Sequence, residues 1–444
     1  MKHAKKILTV ILASALTLSL ASCGSSAGES ESAGADTSAD ESAETASSAD
    51  EITITFFVNK DDILEQIQDA MAAYEEEYGV KIVADCPSTA VTSYLSTRYA
   101  TGNPYTIAMV NPSDVHGIGA EYGLDLSNQD WASETEYALY EDDKLIGFPF
   151  CIEGRGIIYN ADAIEETTGE IFDPSDINYL EDFITLLDEL VSDGMEYPTV
   201  VQKADWSLGY HFFQHVYEER DDTDEFIQDL YNGDVNLEDD EKFNSLIDTF
   251  DILMDYNYFI ESPIKASDTE VLQAIAGGET AFKFGGTWEW ADYITYDEYT
   301  ENMGLIPIPQ DVEDDYTGKL VGGVTQYIIV DGSEYTTDEQ REAALDFLNW
   351  LVYSDEGQSF VTETCSLVSP FQNNTLVSSN PLANDVKVYA DAGNLIPTFD
   401  YAPDDHQNIV GGIMQDYLAG NISREELARE VEEYWVSATP LVYW

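Results

Sequence analysis

Apolar and polar residues follow two different spacings in the first part of the body of this chain. Residues 52–58 are rich in β-branched and aromatic side chains, which predicts a strand. Apolar residues then recur at helical spacing over 63–78, and Gly79 predicts the end of that helix. Residues 80–84 predict a second strand, so the order strand, helix, strand indicates a parallel sheet. Such sheets bind ligands beyond the carboxyl ends of their strands, where the loop 59–62 is expected.

Further helices are predicted farther along the chain. Leucine and phenylalanine side chains form one helical stripe over 180–190. Thr337 with Gln340, and Ser423 with Glu426, match the capping box that opens a helix. The mixture of strands and helices predicts the α/β class.

The first fifty residues carry a leader pattern. Lysines precede an apolar run at 7–20, which is shorter than the ~20 residues that span a bilayer and is typical of a signal peptide. The run ends in Leu20-Ala21-Ser22-Cys23-Gly24, which resembles a bacterial lipobox. We therefore expect residues 1–22 to be a lipoprotein signal peptide and Cys23 to carry lipid. Residues 23–50 are almost entirely Gly, Ser, Ala, Thr, Asp and Glu, which predicts an unfolded acidic linker behind the lipidated cysteine.

Length and charge limit the function of the remaining chain. The residues after position 50 are numerous enough for two domains. The chain contains 18 Lys and Arg against 87 Asp and Glu, a formal net charge of −69 at pH 7. Because phosphate contacts need clustered cations, nucleic acid is excluded as a partner. Anionic lipid would repel this body, so we expect contact with the membrane through the anchor only.

Three cysteines remain after Cys23, namely Cys86, Cys151 and Cys365. They form no CxxC pair and no Cys/His metal pattern, and an odd number cannot all be paired. We expect buried free thiols, with one disulfide left open, and predict neither a metal nor a cofactor.

One apolar stretch, residues 147–162, is interrupted by Glu153-Gly154-Arg155-Gly156. Glycine within a strand marks a bend or a close approach of backbone. A carboxylate and a guanidinium in such a strand either form a salt-bridged pair or face a polar ligand.

This stretch resembles the segment that crosses between the lobes of extracellular solute-binding proteins of ABC importers. The similarity is to family 1, in the sugar-binding branch that includes maltose-binding protein. Further blocks are similar to that family in the same order, at 277–290, at 304–309, and at 343–348 with 355–357. The resemblance covers nearly all of residues 51–444.

The resemblance implies a two-lobed α/β fold of the periplasmic-binding-protein type (type II). Each lobe is expected to be a mainly parallel sheet flanked by helices, and hinge segments join the discontinuous lobes. The N-terminal lobe is expected to comprise 51–152 plus 304–352, and the C-terminal lobe 153–303 plus 353–444.

Aligned position by position, the resemblance also implies a set of ligand-binding residues. They are Asn59, Asp61, Asn111, Asp114, Glu153, Arg155, Trp206, Trp288, Asp400 and Tyr401. Glu153 falls on a hinge carboxylate that accepts hydrogen bonds from hydroxyl groups, and Trp288 falls on a tryptophan that stacks on a sugar ring. Arg155 has no counterpart in maltose-binding protein, and Asp62 replaces a basic residue there, which argues against maltose. Trp290 is expected to pack in the interior.

These residue types suit a carbohydrate, which has apolar C–H faces and polar edges. Covering ~60 Å² of ring face on Trp288 is worth roughly 1.5 kcal/mol at ~25 cal/mol per Å². Each buried hydroxyl needs a partner, because an unpaired one costs ~1–3 kcal/mol, and charged acceptors form the stronger bonds.

The sequence therefore predicts a lipid-anchored solute-binding protein on the outer face of the cytoplasmic membrane. We expect a monomer that captures a carbohydrate of oligosaccharide size by hinge closure and delivers it to ABC transporter permease subunits. Two alternatives stay open. The negative charge favours a cationic solute such as a polyamine or basic peptide. An anchored extracellular glycosidase with two carboxylates is the enzymatic alternative, although no HExxH or Walker motif occurs.

Overall fold

The computed structural model describes residues 52–87, 91–403 and 405–440. Residues 1–51, with the predicted signal peptide, Cys23 and linker, lie outside the described residues, as do 88–90, 404 and 441–444. Ten strands of the described chain form one mixed sheet. They are β1 (Thr53–Phe57), β2 (Lys81–Asp85), β3 (Ile107–Val110), β4 (Leu139–Glu141), β5 (Lys144–Asn160), β6 (Thr199–Val200), β7 (Phe282–Gly286), β8 (Met303–Ile306), β9 (Leu320–Val330) and β10 (Leu395–Ile396).

Sixteen α-helical segments occur in the same described ranges. They are α1 (Leu64–Tyr78), α2 (Val91–Ala100), α3 (Pro112–Asp114), α4 (Ala120–Tyr122), α5 (Ala161–Thr168), α6 (Leu180–Asp193), α7 (His215–Glu218), α8 (Thr223–Asn232), α9 (Glu241–Asp255), α10 (Asp268–Ala276), α11 (Trp290–Tyr293), α12 (Asp338–Tyr353), α13 (Asp355–Ser359), α14 (Pro381–Asp391), α15 (His406–Leu418) and α16 (Arg424–Ser437). The predicted α/β class is confirmed. A search of the described helices found none with the length and apolar character of a membrane span.

The predicted strand–helix–strand start is present. β1 pairs in parallel with β2 and with β3, and α1 connects β1 to β2. Ile67, Met71 and Tyr74 lie on the buried face of α1, as their helical spacing predicts. Gly79 ends the helix with φ of 70°, a left-handed conformation that glycine adopts without steric cost. The two predicted capping boxes open α12 and α16.

The long strand β5 joins the two ends of the sheet. Its residues 148–155 pair with β9, which in turn pairs with β3. Its residues 155–159 pair with β7, and residues 157–160 pair with β8. β8 therefore lies with β7 and β6, and the chain returns towards β1 and β3 along β9.

Close packing explains the glycines of β5. A Cβ atom on Gly154 would lie 2.7 Å from a methyl carbon of Val386 in α14, and one on Gly156 would lie 2.2 Å from the carbonyl oxygen of Ile306. Both positions therefore require glycine. Because strand side chains alternate between faces, Glu153 and Arg155 point to the opposite face of β5.

Separate clusters of buried side chains form the interior. One contains residues of β1, β3, α1 and α12, together with Phe360 and Phe371. A second contains residues of α6, α9, α15 and α16. Phe360 and Phe371 thus pack with the segment that the resemblance placed in the other lobe. The chain limits of the two lobes stay a prediction.

The three cysteines that the structure describes are free thiols, as expected. Cys151 and Cys365 are buried and Cys86 is half-buried. Burial raises the pKa of both buried thiols above the usual value, so these groups stay protonated at neutral pH.

Candidate ligand-binding site

Two predicted residues meet where β1 and β3 end. Asn59 follows β1 and donates from Nδ2 to Oδ1 of Asn111, which follows β3, at 3.1 Å. Gln326 of β9 donates to the same oxygen at 2.9 Å. Parallel strands bring their carboxyl ends to one edge of a sheet, which explains why residues so far apart in sequence come together.

Glu153 is buried, with 4% of its surface exposed, and both carboxylate oxygens have partners. Lys60 Nζ lies 2.8 Å from Oε1, and Thr325 donates from Oγ1 to Oε2 at 2.5 Å. Burial by itself lowers the pKa of the Lys60 ammonium, but the carboxylates of Glu153 and Asp62 raise it above its usual value. The Lys60 ammonium beside Glu153 is therefore charged at neutral pH.

Sequence reasoning missed Lys60. One feature of the sequence could have identified it. Lys60 is one of few cations in an acidic chain, and it lies beside Asn59 after a predicted strand. We call Asn59, Lys60, Asn111 and Glu153 the polar cluster.

Asp61 and Asp114, two acidic residues that were also predicted to bind ligand, are not part of the polar cluster. Asp61 is exposed, and its neighbour Asp62 is the residue that approaches Lys60, at 3.0 Å. Asp114 is buried and accepts a hydrogen bond from Thr92 Oγ1 at 2.5 Å, so it connects to α2. Their assignment to a ligand stays a prediction.

Arg155 connects β5 to α7 and to the segment that precedes α7. Its Nε donates to the backbone oxygen of His211 at 3.1 Å, and its guanidinium pairs with Glu218. Glu218 also accepts from the backbone N–H of Phe399 at 2.8 Å. The guanidinium is therefore paired with a buried carboxylate of another element rather than with Glu153.

Three aromatic rings meet beyond Arg155. Trp206 and His211 come from a π-helical segment (Trp206–Phe212), and Trp288 comes from the turn after β7. The ring centroids of Trp206 and Trp288 are 6.5 Å apart, and those of His211 and Trp288 are 4.4 Å apart, with interplanar angles near 70°. We call Trp206, His211 and Trp288 the aromatic cluster. His211 is a second residue that sequence reasoning missed.

Asp400 and Tyr401 lie beside these groups on one loop. Asp400 accepts hydrogen bonds from Tyr210 and Thr398 at 3.3 and 2.7 Å. Burial raises the pKa of the Asp400 carboxyl. The hydroxyl of Tyr401 lies 2.8 Å from Nε2 of His116, a residue of the segment between α3 and α4. Tyr401 thus connects to residues near β3, and its contact with a ligand stays a prediction.

One stretch of β5 connects the polar and aromatic clusters. Glu153 and Arg155 are two residues apart on one face, a spacing of about 6.6 Å at 3.3 Å per residue. Arg155 pairs with Gly286, which lies two residues before Trp288. Glu153 pairs with Gly323, where an added Cβ would meet nothing within 4 Å. Space is therefore open beside Glu153 on the face that both clusters share.

Several buried polar atoms of these groups have no hydrogen-bond partner among the described residues. They are Trp288 Nε1, His211 Nδ1, Glu218 Oε2 and Gln326 Oε1. Each such atom costs about 1–3 kcal/mol. Burial, with the nearby Arg155 charge, lowers the pKa of His211 well below its usual value, so the ring is neutral. Unsatisfied donors and acceptors at the edge of an aromatic cluster are expected where a polar ligand completes the site.

A cavity of about 340 Å³ lies elsewhere, lined by Tyr159, Lys242, Tyr316, Lys319, Asp385 and neighbouring residues. It contains none of the residues predicted for the ligand site. Groups of His, Cys, Asp and Glu with the arrangement of a metal site are absent from the described residues.

The sequence matches the family model described as "Bacterial extracellular solute-binding protein" over residues 69–390. The chain belongs to this family. Its members are binding proteins rather than enzymes, which removes the glycosidase alternative. No curated protein sequence matches the chain.

Solved structures agree with the family. A putative binding protein MsmE from Bacillus subtilis, in an open conformation, is 18% identical with a TM-score of 0.68, covering 87% of this chain and 97% of its own. RafE in complex with raffinose is 17% identical with a TM-score of 0.68, covering 87% and 99%. A sugar transporter from Bacillus licheniformis in complex with stachyose is 17% identical with a TM-score of 0.65, covering 87% and 99%. This solute-binding protein therefore has the predicted two-lobed fold.

Proposed function

We propose that this solute-binding protein holds a carbohydrate between the polar cluster and the aromatic cluster. One observation carries this proposal. Glu153 and Arg155 lie on one face of β5, Trp288 follows the strand β7 that pairs with Arg155, and Trp206 lies beside Trp288. A sugar needs both kinds of group, because its edges are polar and its ring faces are apolar.

The similar structures support the same ligand class. Their names include complexes with raffinose and stachyose and a chitin oligosaccharide binding protein. An oligosaccharide places several rings along a site, which suits the two neighbouring indoles of Trp206 and Trp288.

Charge balance favours a neutral ligand over a cationic one. Glu153 is paired with Lys60, and Glu218 is paired with Arg155. Within these two pairs the buried charges therefore cancel, although the whole chain is strongly acidic. A polyamine would have to compete with built-in cations for these carboxylates.

The proposed function includes transport. The signal peptide of residues 1–22 would direct export and be removed, and a lipid on Cys23 would then hold the body at the outer face of the cytoplasmic membrane, with the linker 23–50 as its tether. Ligand contacts with both lobes stabilise a closed form, and the closed monomer delivers the sugar to the permease of an ABC transporter.

A binding screen tests this proposal. The body without its leader is titrated by calorimetry with raffinose, stachyose, chitin oligosaccharides and, as the cationic control, spermidine. We expect heat of binding with a saccharide and a smaller radius of gyration by small-angle scattering when it is bound. Binding of spermidine alone, with affinity that falls steeply as salt rises, would instead support the cationic alternative.

A further inference from the structure

A buried ion pair lies directly under the turn that carries Trp288. Lys283 of β7 has no exposed surface, and Glu289 has 2% exposed. Lys283 Nζ lies 2.6 Å from Glu289 Oε1 and donates to the backbone oxygen of Phe284 at 2.7 Å. Tyr293 donates to Glu289 Oε2 at 2.5 Å. The charges are thus compensated within one short segment of chain.

Gly285 and Gly286 show on which side of β7 the ion pair and the indole lie. A Cβ on Gly285 would lie 2.6 Å from Glu289 Oε1, and a Cβ on Gly286 would lie 2.3 Å from the Trp288 ring. Neighbouring strand residues face opposite sides, so the ion pair covers one side of β7 and the indole covers the other. The contact of Glu289 with Lys283 therefore joins the end of the turn of residues 287–289 to β7.

The turn is held from a second direction by α14. Asn380 is buried and donates from Nδ2 to the backbone oxygen of Thr287 at 2.9 Å. The turn is therefore held at both neighbours of Trp288. Asn380 binds Thr287, the residue before it, and Lys283 binds Glu289, the residue after it.

Stability alone does not explain a buried ion pair here. Apolar residues of similar volume commonly give equal or greater stability than a buried pair of charges. A charged pair does impose one geometry, because only one arrangement satisfies both groups.

From this geometry we infer that Lys283 and Glu289 are positioning residues that fix the Trp288 indole for ligand contact. The inference rests on the proposed function for its ligand, but the position of the indole can be measured without one. Neither residue touches the ligand; both act through the turn.

The test uses protein labelled with 5-fluorotryptophan and observed by fluorine NMR without ligand. The Trp288 signal is assigned with Trp288→Phe, and the deeply buried Trp131 and Trp435 serve as folding references. In Lys283→Met/Glu289→Leu we expect the Trp288 signal to shift or split while both reference signals stay in place. An unchanged Trp288 signal in this folded variant would overturn the inference.

A matched control removes another ion pair from the same part of the molecule. Arg220→Met/Asp240→Leu deletes a pair that is also largely buried, and its side chains are outside the aromatic cluster. We expect the Trp288 signal to stay in place there. A similar change in both double variants would indicate a general effect of losing charges and would overturn the inference.

A milder variant covers the case in which the double variant does not fold. Tyr293→Phe removes only the hydrogen bond to Glu289, and we expect a smaller shift of the same signal. No shift in Tyr293→Phe would count against the inference on its own.

Raffinose is then the binding probe for the same proteins. We expect about tenfold weaker binding in Lys283→Met/Glu289→Leu and unchanged binding in the control, because the indole platform is worth about that factor. If the wild type does not bind raffinose while the fluorine signal shifts, the choice of ligand fails and the positioning role stands. Unchanged raffinose binding in a double variant with a shifted signal would overturn the link to ligand contact.

Discussion

The polar cluster and the aromatic cluster are built in different ways. Residues of the polar cluster come from the ends of β1 and β3 and from the middle of β5, and partners on neighbouring strands satisfy its charged groups. Residues of the aromatic cluster come from a π-helical segment and a three-residue turn, and two of its ring nitrogens lack partners. The charged groups of the polar side are therefore paired within the protein, whereas the aromatic side has ring nitrogens that the proposed ligand would satisfy.

The difference also concerns charge. Lys60 and Glu153 neutralise each other within the polar cluster, so their removal one at a time leaves a buried charge. The aromatic cluster contains a neutral His211 and depends on ring contacts. Loss of a charged partner should therefore affect folding, and loss of a ring should affect binding.

Lys60→Met gives the largest expected effect. It leaves the Glu153 carboxylate buried without its cation, which costs about 3–5 kcal/mol of the free energy of unfolding. Urea unfolding measures this loss. Lys60→Met/Glu153→Gln is the control and should recover much of the stability, because the buried carboxylate of residue 153 is removed together with its cation. Equal stability of wild type and Lys60→Met would show that the pair is not an essential contact of the polar cluster.

Trp288→Ala should weaken saccharide binding about tenfold, since the lost ring contact with the ligand is worth roughly 1.5 kcal/mol. Calorimetry with the saccharide found by the screen measures the affinity. Tyr353→Ala removes an exposed aromatic ring of α12 and serves as the control. If both variants bind like the wild type, Trp288 is not a ligand platform.

Acidification should act on the aromatic cluster through His211. Its folded pKa is lowered by burial, so the unfolded chain takes up a proton first as pH falls below about 6.5. The contribution of this residue to stability is present above that pH and is lost below it. The stability difference between wild type and His211→Gln should therefore become smaller from pH 7 to pH 5, as measured by urea unfolding at each pH. A difference that stays constant over this range would mean that the ring is not held neutral.

Salt should have the smallest effect. Because the buried charges of the polar cluster are paired and the proposed ligand is neutral, the dissociation constant should change by less than about twofold between 0.05 and 0.5 M NaCl. Titration of the same saccharide at the two concentrations measures this. A steep loss of affinity would instead indicate that the exposed carboxylates of Asp61 and Asp62 contribute to binding.

Local parts of the fold could be predicted from sequence. The start of the sheet, the left-handed Gly79 and the capping boxes at Thr337 and Ser423 depend on neighbouring residues, so their patterns are readable. Glu153 and Arg155 stood out because charged residues alternate with glycines inside an apolar strand.

The partners of those residues could not be predicted, because they depend on tertiary contacts. Lys60 lies 93 positions before Glu153, and Glu218 lies 63 positions after Arg155. β8 pairs with the end of β5, and the chain returns towards β3 along β9. Such long-range pairing leaves no local pattern in a single sequence.

Packing behind β5 has a consequence for how ligand preference can evolve in this protein. Since Gly154 and Gly156 have no space for even one methyl group, the rear of that strand is closed to variation. In the proposed site, new specificities would then arise from substitutions on the front, at positions 153 and 155, or from exchange of the loops and turns that face them. The scaffold thus confines adaptive change to a narrow, accessible set of positions while its backbone stays constant.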